Sequence, residues 1–60
     1  MKTYKQWEIP NGSKVKLWNG EIITFNGMDG VYARWTNAKG KLMRGNFKEF
    51  VKEGDYFMVL

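Results

Sequence analysis

The residues of this chain that could do chemistry fall into two sets. One is six carboxylates, Glu8, Glu21, Asp29, Glu49, Glu53 and Asp55, which sit in no acid–base or metal-ligand motif. With no His and no Cys, a general base would have to be one of these or a lysine, and Ser13 is the only serine. The same two absences remove the usual zinc ligands, and Glu49, Glu53 and Asp55 lack the spacing of an EF-hand calcium loop. The expectation is a chain that is not an enzyme and needs no metal or cofactor. The other set is cations interleaved with aromatics: Lys14, Lys16 and Trp18 alternate in S-K-V-K-L-W, Tyr32 and Arg34 alternate in V-Y-A-R-W-T, and Arg44 ends K-L-M-R. Aromatic planes flanked by cations suit base stacking and phosphate pairing. Trp, Tyr and Arg also dominate protein–protein hot spots. Lys14, Lys16, Trp18, Tyr32, Arg34 and Arg44 are therefore the candidate binding residues. Against this stands a purely structural explanation, in which Trp18 and Tyr32 fill a small core and the lysine stems lie over it.

A third feature invites a chemical reading. The stretch W-N-G-E-I-I-T-F-N-G-M-D-G, Trp18 to Gly30, is rich in glycine. A phosphate cradle needs such glycines between a strand and a long helix, whose N-terminal N–H groups hold the anion. No long helix follows Gly27 or Gly30. G-M-D-G has the GXXG form of a KH loop, but a KH domain is a larger α/β fold and Asp29 would repel phosphate. Turns are the simpler explanation.

The elements that must position the cations and aromatics are short. Asn-Gly recurs at residues 11, 19 and 26, with further breaks at Gly30, Gly40, Gly45 and Gly54, leaving intervals suited to strands. Ser13 to Trp18 and Glu21 to Phe25, separated by Asn19-Gly20, read as a hairpin on a two-residue type I′ turn. That turn pairs Leu17 with Ile22, Val15 with Thr24 and Lys14 with Phe25. It predicts a core face of Val15, Leu17, Ile22 and Thr24, with Trp18, Ile23 and Phe25 on the other face. Asn26 to Gly30 reads as a loop. Val31 to Thr36 and Lys41 to Arg44 form a second hairpin around Asn37 to Gly40, pairing Trp35 with Leu42 if the loop has four residues, or with Met43 if it has three and a bulge at Gly40. Asn46 is placed as an N-cap, with Phe47 and Phe50 stacked on one helical turn. Tyr56 to Leu60 is a last buried strand, and residues 1–10 form an N-terminal arm or an extra strand.

Sixty residues make one small domain, 1–60, in which aromatic bulk must replace the crosslinks that a chain without Cys lacks. The net charge of +4 biases it toward anionic partners. M-K-T-Y-K-Q-W-E-I-P has no apolar signal region and no apolar run is long enough to span a bilayer, so a cytoplasmic protein without a membrane role is expected.

The order hairpin, loop, hairpin, helical turn, strand resembles the SH3-like barrel over Ile9 to Leu60. The resemblance implies an all-β fold of five strands, with one short 3₁₀ turn before the last strand. A five-stranded OB-like barrel and an open meander completed by a second subunit are the alternatives. The proline-peptide groove of the eukaryotic signalling members does not carry over. The chain lacks A-L-Y-D-Y and paired tryptophans after Gly30, and it has Lys48-Glu49-Phe50 where that family supplies a groove tyrosine. Bacterial, archaeal and phage members include nucleic-acid binders, ribosome-associated modules and small phage proteins that block host enzymes. The expected function is thus a non-catalytic protein-interaction module of an accessory or inhibitor type, its partner another protein or a second copy in a homodimer. The alternative is a sequence-tolerant nucleic-acid binder.

Overall fold

The computed structural model describes residues 2–60. These residues form an all-β, antiparallel fold, with seven strands among them: β1 (Lys2–Tyr4), β2 (Lys14–Lys16), β3 (Ile22–Asp29), β4 (Tyr32–Thr36), β5 (Leu42–Gly45), β6 (Lys52–Glu53) and β7 (Tyr56–Val59). Short 3₁₀ turns stand at Gln6–Glu8 and, before the last hairpin, at Phe47–Glu49. The strands run in the order β1-β7-β2-β3-β4-β5, and β6 pairs with β7. The expected count of five strands is corrected to seven, because the N-terminal segment adds β1 to β7 and Lys52–Glu53 folds back on Tyr56 and Phe57. The sheet is compatible with a small barrel-like arrangement, but it is not closed: β1 and β5 form its two ends.

The first hairpin departs from the sequence reading by one residue. Lys14 pairs with Thr24, Val15 with Ile23 and Lys16 with Ile22. The Leu17 N–H donates to the Glu21 carbonyl at 2.8 Å and the Gly20 N–H returns to the Leu17 carbonyl at 2.9 Å, so the loop has three residues and Gly20, at φ +91°, closes it as a bulge. A type I′ turn needs positive φ at both central residues, and no non-glycine described here has positive φ. Asn19 instead uses its side chain, Oδ1 accepting from the Glu21 N–H at 3.0 Å. A slip of one residue turns all of β3 over. Ile23 and Phe25 therefore join Val15 and Leu17 in the core, while Ile22 and Thr24 face outward. The exchange buries a phenyl ring in place of a threonine hydroxyl, and full burial of an apolar side chain is worth roughly 1.5–3 kcal/mol.

The second hairpin has the same design. Trp35 pairs with Met43, the Asn37 N–H donates to the Lys41 carbonyl, and Gly40 at φ +84° is the bulge. Asn26 to Gly30 is not a loop, in correction of the sequence reading. Asn26 to Asp29 is the second half of β3, bulged between Phe25 and Met28, and the reversal comes only at Gly30 and Val31. Replacing Gly20 or Gly40 with Ala puts a Cβ on a left-handed residue and is expected to cost about 1–2 kcal/mol each, read as a lower urea midpoint at unchanged slope.

The core comprises Ile9, Val15, Leu17, Ile23, Phe25, Ala33, Trp35, Phe47, Phe50, Phe57 and Val59, with no buried polar side chain among the described residues. The 3₁₀ turn at Phe47–Glu49 is capped as expected, Asn46 Oδ1 accepting from the Lys48 N–H at 2.9 Å. It delivers Phe47 and Phe50 into a cluster with Phe25, Trp35 and Phe57.

Candidate interaction surface

Because Val15, Ile23, Phe25, Ala33 and Trp35 point inward, their neighbours along each strand form the outer face of the sheet. Register places these neighbours in rows. Lys14, Thr24, Thr36 and Leu42 run across β2 to β5. Lys16 stands opposite Ile22 on one side of that row, and Arg34 opposite Arg44 on the other. Beyond the arginines lies the pair Asp29 and Tyr32. The row is fixed by side-chain bonds: Lys14 Nζ donates to Thr24 Oγ1, and Asn26 Nδ2 donates to Thr36 Oγ1 at 2.8 Å.

The six residues singled out from sequence are all exposed, and they form two groups at opposite ends of this face. Lys14 and Lys16 stand on β2, and Trp18 lies just past it in the hairpin loop, its N–H held by the Glu49 carbonyl at 2.9 Å. Tyr32, Arg34 and Arg44 form the second group. Arg44 Nη1 bonds Asp29 Oδ2 at 3.1 Å and its guanidinium lies 5.2 Å from the Tyr32 ring centroid. Arg34 and Arg44 are directly opposed, an arrangement that costs stability between like charges. Asp29 compensates only one of the two, so the cluster keeps a net positive charge. The depression over it measures about 350 Å³ and is lined by Asn26, Asp29, Arg34, Leu42 and Arg44 among others. Glu21 Oε2 accepts from the Ala38 N–H at 3.0 Å and ties the two hairpins together.

Trp18 is 72% and Tyr32 44% exposed, so neither is a core residue. Sequence reasoning passed over further exposed apolar side chains, among them Val31, Trp7 and Leu42. Trp7, 73% exposed, sits on the first 3₁₀ turn with Lys5 Nζ 5.5 Å from its ring centroid. Its signal was the K-Q-W run in a segment read only as an arm or extra strand. Leu42, 71% exposed, depended on the register of the second hairpin, which the sequence left open. Among the described residues no group of three or more potential ligands could hold a metal ion, and no helix is long and apolar enough to cross a membrane. No family model, no curated protein and no solved structure matches the chain.

Proposed function

We propose that the protein is a non-catalytic interaction module that docks on a protein partner in the cytoplasm, acting as a small accessory or inhibitor protein built on an SH3-like barrel whose sheet is left open. One observation carries this reading. The core closes on five clustered aromatic rings while Trp7 and Trp18 remain largely exposed, in a chain so short that it has little apolar surface to spare. Large exposed aromatics beside cations are the residues that dominate binding energy at interfaces. Trp7→Ala and Trp18→Ala are expected to leave the melting temperature within about 3 °C of the parent, since exposed positions contribute little to stability. Each is expected to reduce capture of a partner by the tagged chain. Unchanged capture by both variants would rule the reading out. Sedimentation across a wide concentration range separates a foreign partner from self-association.

A second reading is supported by the Tyr32, Arg34 and Arg44 cluster, where uncompensated positive charge stands beside an aromatic plane. Such a cluster suits the backbone and bases of single-stranded nucleic acid. Titrating fluorescently labelled single- and double-stranded oligonucleotides with the chain at several salt concentrations, read by anisotropy, tests it. Binding through these cations must weaken as salt rises, and an unchanged anisotropy at low salt would end this reading.

A further inference from the structure

The partner class can be narrowed by the strand at the open end of the sheet. Strand β5 pairs with β4 alone. The Asn37 N–H bonds the Lys41 carbonyl, and in an antiparallel ladder bonded pairs alternate, so Met43 and Gly45 turn their backbone groups toward β4. The N–H and C=O groups of Leu42 and Arg44 therefore point away from the sheet, where no described segment pairs with them. Leu42 is 71% exposed on the outer face, and even Met43, on the core side with Trp35, is 37% exposed. Both faces of the strand thus run out of cover at the same edge.

Charge selects the occupant. Arg34, Lys39 and Lys41 form no ion pair among the described residues, and Arg44 shares one carboxylate, Asp29. Two more carboxylates are near, Glu21, bonded to the Ala38 N–H, and Glu49, beside Gly45, so Arg34, Lys39, Lys41 and Arg44 outnumber Asp29, Glu21 and Glu49 by one charge. A second copy of the chain would add its own Arg34, Lys39, Lys41 and Arg44 to the same strip, placing like charges together. Cations on an edge strand guard against such self-pairing, but they do not explain an exposed leucine between them. We propose that the free edge of β5 binds an extended, acidic segment of a protein partner as an added strand, apolar where it faces Leu42 and Met43 and acidic where it faces Lys41 and Arg44. Backbone bonds supply affinity in this mode, and alternate side chains supply specificity. The proposal rests on the protein-interaction reading above.

The test is a titration of the ¹⁵N-labelled chain with a capped synthetic peptide, Ser-Glu-Val-Ile-Glu-Ser, up to about 1 mM, where even weak binding is visible. The amides of Leu42 and Arg44 are expected to shift and to exchange more slowly, and the charge-reversed Ser-Lys-Val-Ile-Lys-Ser is expected not to bind. Leu42→Pro deletes an outward donor without touching the bonds to β4, a position where an edge strand tolerates proline, and should weaken binding at least about tenfold. Leu42→Glu keeps the backbone intact, adds a charge that repels the peptide, and should weaken it as well. Unmoved Leu42 and Arg44 amides, or equal binding of both peptides, would overturn the edge site. Were that to happen while Trp18→Ala still abolished partner capture, the interaction module would stand without it. Strand addition seen in the amides with no partner captured would leave the edge site and remove the module.

Discussion

Phe50→Ala is expected to remove much of the stability that keeps the chain folded at 25 °C. Phe50 is the hub of the core, with its ring 5.4 Å from Trp35, 5.5 Å from Phe47, 6.1 Å from Phe25 and 6.2 Å from Phe57. Its backbone also bridges Leu17, and the next residue donates to the Lys16 carbonyl, so the same position ties the 3₁₀ turn to β2. Truncating a buried phenylalanine costs about 3–5 kcal/mol. At roughly 0.05–0.15 kcal/mol per residue, a domain of this length is stable by only about 3–9 kcal/mol. The loss therefore takes much or all of the margin. Near-ultraviolet circular dichroism and urea unfolding check it, and a cooperative transition within about 1 kcal/mol of the parent would show that the ring cluster is not what holds the fold. Phe50→Leu, which keeps most of the volume, is expected to remain folded.

Gly45→Ala is expected to destabilise by about 1–3 kcal/mol, the cost of forcing extra volume into a packed site. The reason is not conformational freedom, since Gly45 does not have positive φ. A Cβ here would lie 2.6 Å from Trp35 Cη2 and 2.6 Å from Glu49 Oε2. Trp35 lies over this glycine, and Ala33, the residue paired with Gly45, is also small and fully buried. In a background with Trp7 and Trp18 replaced by Phe, the emission of Trp35 reports on its packing directly. A red shift with a lower urea midpoint is expected. Trp35→Phe in the Gly45→Ala chain should recover part of the loss, and additivity of the two changes would argue against contact as the cause.

The fold class was readable from sequence because strand length, Asn-Gly punctuation and the Asn46 cap are local signals. Register was not, and the first hairpin shows why. Asn19-Gly20 is compatible with a two-residue and a three-residue loop, and what decides is which face of β3 the distant rings at positions 47, 50 and 57 can pack against. Leu42 was hidden behind the same ambiguity in the second hairpin. The candidate residues fared differently. Alternation alone put Lys14 and Lys16 on one face of their strand and Tyr32 and Arg34 together on one face of theirs, because period two survives any error of pairing partner. Trp7 was passed over because nothing local marks Lys2–Tyr4 as a strand; its partner is at the far end of the chain.

That last pairing bears on how the molecule comes together in time. Hairpins β2–β3, β3–β4 and β4–β5 join neighbours in sequence, whereas Lys2 meets Val59 and Val15 also meets Val59. Closing so long a loop is entropically slow and becomes favourable only once the surface to be joined exists. The meander of β2 to β5 is thus the template, and β7 enters it carrying Phe57 and Val59 while β1 lays itself along the outside. During synthesis the first strand must wait for the last.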